Sequence, residues 1–181
     1  MRIIGGNNKG KKLKTFDGYD IRPTSDRAKE ALFNILNAKV LGCDFLDLCC
    51  GSGSVGLESY SRGANSVTFV DGSKTSLNLT KENAKSIGLG GDFCLSRAED
   101  YVKKTDKVFD IIFFYPPYAF DGAKEILTAV KDNKLLKDDG IFIYERDRDK
   151  QSILVDGLEL FKSRRYGIAV FDFYRIDEEN L

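Results

Sequence analysis

Asp47-Leu-Cys-Cys-Gly-Ser-Gly53, running on through Ser54 and Val55 to Gly56, is the stretch that decides the fold. From Gly51 its glycines have the spacing G-x-G-x-x-G. The apolar run Phe45–Leu48 precedes it, and a helical pattern near residues 54–62 follows. That strand–turn–helix setting is the one a nucleotide-binding loop needs. Glycines permit the tight turn and let the backbone approach a ligand closely. The spacing alone also fits any tight strand-to-helix turn, so its neighbours matter. Asp71 ends the second apolar run, about twenty residues after Gly51, where an acid reaches ribose hydroxyls. Asp47 stands at the carboxyl end of the first strand, where it would repel a pyrophosphate and suit a cation. S-adenosylmethionine carries an ammonium and a sulfonium and no phosphate. The two acids therefore favour this methyl donor over NAD.

Outward from the loop, short apolar runs at Ser66–Val70, Phe93–Leu95, Phe109–Phe114 and Ile141–Tyr144 alternate with helical stretches near 73–87, 97–104, 121–131 and 149–156. Such alternation implies right-handed βαβ crossovers and a mainly parallel sheet. The continuous apolar character of Asp110-Ile-Ile-Phe-Phe114 suits a strand covered on both faces. Leu158–Tyr166 and Ile168–Arg175 are separated only by Gly167 and read as an antiparallel pair closing the sheet. Upstream, Ala28, Ala31, Leu32, Ile35 and Leu36 recur at helical spacing, with Thr24, Ser25 or Asp26 available as a cap. The turn signals Gly5-Gly-Asn-Asn8 and Phe16-Asp-Gly18 make residues 1–23 a hairpin or two short extended pieces. The expected architecture is α/β: a doubly wound, seven-stranded, mainly parallel sheet with six helices or so, a C-terminal antiparallel hairpin and a small N-terminal β extension. Residues 1–23 form the extension, and residues 24–181 form a Rossmann-like methyltransferase domain of class I.

Phe109-Asp-Ile-Ile-Phe-Phe-Tyr115-Pro116-Pro117-Tyr118 is a buried strand ending in a rigid turn. Proline stops a strand ladder. At the end of a central strand, however, this turn faces the crevice of the glycine loop. It would aim backbone carbonyls into that crevice, and Tyr118 would offer a ring face to a flat base. Methyl transfer to an exocyclic amine needs such acceptors and accurate positioning. It needs neither histidine nor a metal.

The composition agrees. The 181 residues are 42% hydrophobic and 31% charged and contain no histidine, which excludes histidine-dependent hydrolases and metalloproteases. The four cysteines form no CxxC pair, so neither a zinc site nor a disulfide framework is signalled. No apolar run approaches the ~20 residues of a membrane span, and a cytoplasmic location is expected. Net charge is zero, yet Arg2, Lys9, Lys11, Lys12 and Lys14 crowd the first 14 residues without an acid among them. That arm reads either as a solvated turn or as a phosphate-contacting surface. Gly5–Lys12 imitates a P-loop, but Lys12 stands where Ser or Thr must ligate magnesium, and no helix follows.

Together these segments resemble the RsmD family, bacterial methyltransferases acting on guanine N2 of small-subunit (16S) ribosomal RNA. The resemblance rests on Arg2-Ile-Ile-Gly-Gly with Lys9-Gly-Lys-Lys-Leu13, on Arg22-Pro-Thr-Ser-Asp-Arg27 with Glu30-Ala-Leu-Phe-Asn34, and on the glycine loop with Gly56, Glu58 and Ser61-Arg-Gly-Ala64. Tyr166-Gly167 and Phe173-Tyr174 extend it to the closing hairpin. It implies S-adenosylmethionine as cosubstrate and a ribosomal RNA target in an assembling small subunit; the chemistry calls for no metal, and a monomer is expected. Asp47, Gly51, Ser52 and Gly53 would line the amino-acid end of the donor, and Asp71 would hold the ribose. Arg97 and Ala98, after the fourth strand in sheet order, would lie near the adenine. Arg22, Thr24 and Arg27 would shape the site, and Arg22 would join the basic arm on RNA. Tyr115, Pro116, Pro117 and Tyr118 would form the catalytic turn. The family's turn begins with Asp, and here the first position is Tyr115. A donor- and RNA-binding protein with impaired catalysis, or a methyltransferase acting on DNA adenine, are the readings that compete.

Overall fold

The computed structural model describes residues 1–16, 23–177 and 179; Arg22 and the turn expected at Asp17-Gly18 lie outside them. Seven strands form one sheet: β1 (Asp44–Leu48), β2 (Ser66–Asp71), β3 (Asp92–Leu95), β4 (Phe109–Phe114), β5 (Leu136–Asp147), β6 (Leu158–Tyr166) and β7 (Ala169–Ile176). Their order is β3-β2-β1-β4-β5-β7-β6. The first five pair in parallel, and β7 lies antiparallel between β5 and β6. The chain winds outward from β1 to β3, then returns to place β4 on the other side of β1. The β1–β4 junction is thus the switch point, outside whose carboxyl ends ligands bind in such sheets.

The central apolar strands β1, β2, β4 and the middle of β5 are buried on both faces, whereas the edge strand β3 is only half-buried. Neighbouring residues point to opposite sides of a strand. Phe45, Ile111, Phe113, Ile143 and Phe173 accordingly enter one core, while Leu46, Ile112, Phe114, Phe142 and Tyr174 enter the other. The first core is closed by α1 (Asp26–Leu36), α2 (Ser54–Ser61) and α3 (Lys74–Ser86), through residues such as Leu32, Phe33, Leu57 and Leu77. The second is closed by α4 (Ala98–Lys104) and α5 (Ala123–Asp132), through Val102, Ile126, Leu127 and Val130. Of the three cap candidates for α1, Ser25 takes the role: its hydroxyl accepts from the Ala28 N–H at 3.2 Å. Five α-helices and a 3₁₀ turn at Asn37–Val40 are present among the described residues.

Three expectations change. Residues 149–156 are not helical. The Arg146 guanidinium takes the Lys150 carbonyl and, at 2.9 Å, the Ser152 hydroxyl, and the Ile153 N–H donates to the Tyr174 hydroxyl at 3.2 Å. Groups that a helix would bond internally are used by side chains of the sheet. Arg97 and Ala98 follow β3, which pairs with β2 alone at the sheet edge, and not a fourth strand in sheet order. Ile168 belongs to the hairpin turn, and β7 begins at Ala169.

The N-terminal segment folds back on itself, with one antiparallel bridge between Arg2 and Lys12 and with Ile3 and Leu13 in the first core. Glu58 anchors it. This buried carboxylate accepts from the N–H groups of Ile4 (2.9 Å) and Gly5 (2.8 Å) and from Arg62 Nε (2.8 Å), and it lies 3.6 Å from the buried ammonium of Lys29. Lys29 in turn donates to the Arg2 carbonyl at 2.8 Å. The P-loop imitation is therefore a turn pressed on α2. At Gly6, φ is 76° and a Cβ would stand 1.8 Å from the Ser61 carbonyl oxygen.

Candidate active-site cleft

The glycine loop leaves β1 in a contorted path. Cys49 (φ 66°), Gly51 (φ 57°) and Gly53 (φ 78°) all lie in the left-handed region. For Gly53 the conformation and the space agree, since a Cβ there would meet the Thr80 side chain at 2.6 Å. Gly56 has a different reason: its Cβ would stand 2.5 Å from the Phe69 ring, so α2 packs on β2 only with glycine at that position. Three side chains of the neighbouring elements hold the loop. Asp71 accepts from the Gly51 N–H at 2.9 Å and from the Ser73 N–H at 2.8 Å. Thr80 donates to the Gly51 carbonyl at 2.9 Å. Asn83 donates to the Ser52 carbonyl at 3.0 Å and also exchanges hydrogen bonds with the Lys14 backbone. The loop and the N-terminal arm thus share one fastening on α3.

Above the carboxyl ends of the strands lies a cleft of about 970 Å³, at the upper end of the ~300–1,000 Å³ typical of small-molecule sites. Asp47, Gly51, Ser52, Asp71, Arg97 and Ala98 line it on one side; Tyr115, Pro116, Pro117 and Tyr118 line the other. Thr24 contributes as well, its hydroxyl donating to the buried Glu145 carboxylate at 2.5 Å. Gly53 and Arg27 do not line it: Gly53 shapes the loop from behind, and Arg27 is exposed on α1. The sequence reading missed Met1, Phe16, Glu99 and Asp147 as lining residues. Met1 has no local signal: it reaches the loop because the arm is folded back, its sulfur accepting from the Ser52 hydroxyl at 3.7 Å.

Asp47 is almost fully buried, and one carboxylate oxygen accepts from the Gly56 N–H at 2.9 Å. Burial pushes its carboxyl from 3.8 up to about 8, against the pull of that hydrogen bond and with help from the charges of Asp71 and Glu145. Between these two values the folded protein holds a proton that the unfolded chain has released, so stability falls as pH rises through that window. Asp47→Asn removes the titration. Its unfolding midpoint, measured against the unaltered protein in urea, is expected to improve steadily from pH 4.5 to 8; a difference independent of pH would contradict this. The loop cysteines are inert by the same physics: burial, with Asp71 and Asp47 nearby, raises both the Cys49 and Cys50 thiols far above neutrality.

The basic arm divides in two. Lys14 pairs with Glu82 at 2.9 Å and Arg2 with Asp26 at 3.6 Å. Lys9, Lys11 and Lys12 are exposed and make no ion pair among the described residues. No group of residues suited to a metal ion occurs among the described residues, and no helix there is long and apolar enough to cross a membrane.

Comparison with known proteins identifies the family and the fold. The family model for conserved hypothetical protein 95 matches residues 1–175. The ribosomal RNA small subunit methyltransferase D of Haemophilus influenzae is 32% identical over 97% of this chain and 93% of its own length. Its Escherichia coli namesake is 30% identical over 81% of this chain and 75% of its own length. A solved structure from Escherichia coli, provisionally named a methyltransferase, superposes with a TM-score of 0.87 at 27% identity, covering 98% of each chain. A second from Haemophilus influenzae, provisionally named a methylase, gives 0.80 at 31% identity and covers 96% of each. The chain belongs to the conserved hypothetical protein 95 family, the family of the ribosomal RNA small subunit methyltransferase D proteins.

Proposed function

We propose that this protein transfers a methyl group from S-adenosylmethionine to the exocyclic N2 amine of a guanine in small-subunit (16S) ribosomal RNA. The observation that carries the reading is one cleft holding both halves of the chemistry: a glycine loop with acids for a cationic donor, and a Pro-Pro-Tyr turn for a flat base. Asp47 and the loop residues Gly51 and Ser52 would take the donor's amino-acid end, Asp71 its ribose, and Arg97 and Ala98 would border its adenine. Asp47 suits this role because an ammonium beside a buried carboxyl stabilises its ionised form. The donor supplies a methyl group on a sulfonium. As the target nitrogen forms its bond to that methyl, the sulfur–carbon bond breaks, a neutral thioether leaves, and N2, cationic once methylated, gives up one proton to solvent. Pro116 and Pro117 fix the turn, so backbone carbonyls are available to the amine without rearrangement. Tyr118, 66% exposed with Lys150 Nζ 5.0 Å from its ring centroid, stands at the rim where a base would enter. Cytoplasmic action as a monomer on an assembling small subunit belongs to the same reading.

The unpaired lysines are the RNA-facing part of the proposal, which also includes Arg2 and Lys14 and, from the sequence alone, Arg22. Calorimetric titration with S-adenosylmethionine should show saturable binding, lost in Asp71→Ala; absence of any binding would sink the reading. Replacing Lys9, Lys11 and Lys12 by Ala should weaken RNA binding and flatten its dependence on salt. Each lost phosphate contact removes about 0.7–0.9 from the logarithmic slope. Donor affinity should stay unchanged. An unaltered RNA affinity would make the arm a solvated turn.

A further inference from the structure

Beside the cleft, across Tyr115, lies a small pocket of about 40 Å³ bordered by Glu145, Arg146, Asp147 and Tyr166. Tyr115 and Asp147 line both spaces. The pairing of Phe114 with Tyr144 sets the register between β4 and β5, so the chain continues into the Tyr-Pro-Pro turn on one strand and into Glu145-Arg-Asp147 on the next. Asp147 therefore ends the strand beside the turn, on the side of the cleft away from Asp71 and Arg97.

Five acids line the cleft, and four are committed. Asp26 faces Arg2, Asp47 accepts from Gly56, Asp71 holds Gly51 and Ser73, and Glu99 pairs with Arg97 at 3.0 Å. The neighbours of Asp147 are committed as well. Glu145 accepts from Thr24, and Arg146 pairs with the buried Asp172 at 2.7 Å. Lys150 Nζ is held by the carbonyls of Tyr118 and Phe120. The half-buried Asp147 carboxylate makes no hydrogen bond or ion pair among the described residues. An ionised carboxylate only accepts. Guanine alone among the RNA bases presents two adjacent donors, N1–H and N2–H, on its Watson–Crick edge, the edge through which an unstacked base is read.

We propose that Asp147 is a specificity-determining residue of this site, its carboxylate accepting N1–H and one N2–H of the target guanine. The inference rests on the guanine-N2 reading above. It leaves the second N2 proton for the turn at Tyr115. Adenine would direct the lone pair of its N1 at the same carboxylate and be rejected.

The test uses the whole protein and reconstituted small-subunit particles. Their target guanosine, located by mapping a transferred methyl label, is replaced by 2,6-diaminopurine, which keeps the 2-amine but carries an acceptor at N1. The unaltered protein should favour guanine. Asp147→Asn offers one acceptor and one donor, matching the analogue, and should shift the preference toward it by roughly tenfold to a hundredfold, the discrimination worth of one bidentate contact. Asp147→Ala should lose discrimination in both directions. Donor affinity by calorimetry should be the same in all three proteins, which a misfolded variant would not achieve. A guanine preference unchanged in Asp147→Asn overturns the inference and leaves the parent reading standing. Failure of the unaltered protein to methylate guanine overturns both.

Discussion

Replacing Tyr115 by aspartate is expected to raise the rate of methyl transfer by about one to two decades. In the proposed transfer the attacking amine is a poor nucleophile, because its lone pair would be conjugated with the guanine ring. A carboxylate accepting one of its N–H bonds localises that lone pair as the new bond forms. A charged hydrogen bond of this kind is worth ~1.5–3 kcal/mol, and each 1.36 kcal/mol is a factor of ten in rate. The family resemblance puts an aspartate at this position, and the chain has Tyr115, half-buried at the wall of the cleft, with its N–H 3.4 Å from the Leu48 carbonyl. The tyrosine cannot accept as a carboxylate does, but the prolines beside it still fix the backbone carbonyls. The unaltered protein should therefore turn over slowly, with kcat rather than donor affinity carrying the deficit. Single-turnover transfer by the two proteins, with donor Kd measured in parallel, separates these terms. A variant no faster than the parent would show that the turn's backbone alone supplies the acceptors.

Glu58→Ala is expected to cost about 3–5 kcal/mol, the penalty for removing one partner of a buried ion pair. Glu58 and Lys29 are both fully buried. Burial already pulls the Lys29 ammonium toward its neutral form, and Glu58 is the leading charge that opposes it. Without the carboxylate, Lys29 is left charged in a dry interior, and the N–H groups of Ile4 and Gly5 lose their acceptor. Against a typical domain stability of ~5–15 kcal/mol, that is a fifth or more. Urea unfolding reads it. The control is Glu58→Gln combined with Lys29→Met, which removes both charges and should recover much of the loss; equal destabilisation by single and double variants would contradict the pairing argument. The variant should also bind donor more weakly, since Glu58 holds the arm whose Met1 touches Ser52 at the loop.

The sheet was legible because burial on both faces writes a continuous apolar run in β1, β2, β4 and the middle of β5, and helices separate the strands from β1 to β5. The glycine loop was legible because spacing, flanking strand and following helix are all local. Residues 149–156 misled because the hydrogen bonds that hold them out of a helix come from Arg146 and Tyr174, outside the segment. Glu58 could be seen as part of a motif but not as an anchor, because its backbone partners lie 54 and 53 residues away. Asp47 was visible as an acid, but its near-complete exclusion from water was not. Asp147 has no local signal at all: in the string Glu-Arg-Asp-Arg-Asp it is one charge in a run that ordinarily marks a solvated face. Only the commitment of every neighbouring charge to another partner sets it apart.

The most direct measurement incubates the protein with methyl-labelled S-adenosylmethionine and small-subunit particles lacking the modification, then digests the RNA to nucleosides. The account predicts label in N2-methylguanosine at a single position, faint with the unaltered protein and strong with Tyr115→Asp. Label confined to N6-methyladenosine, or none with either protein despite saturable donor binding, would contradict it.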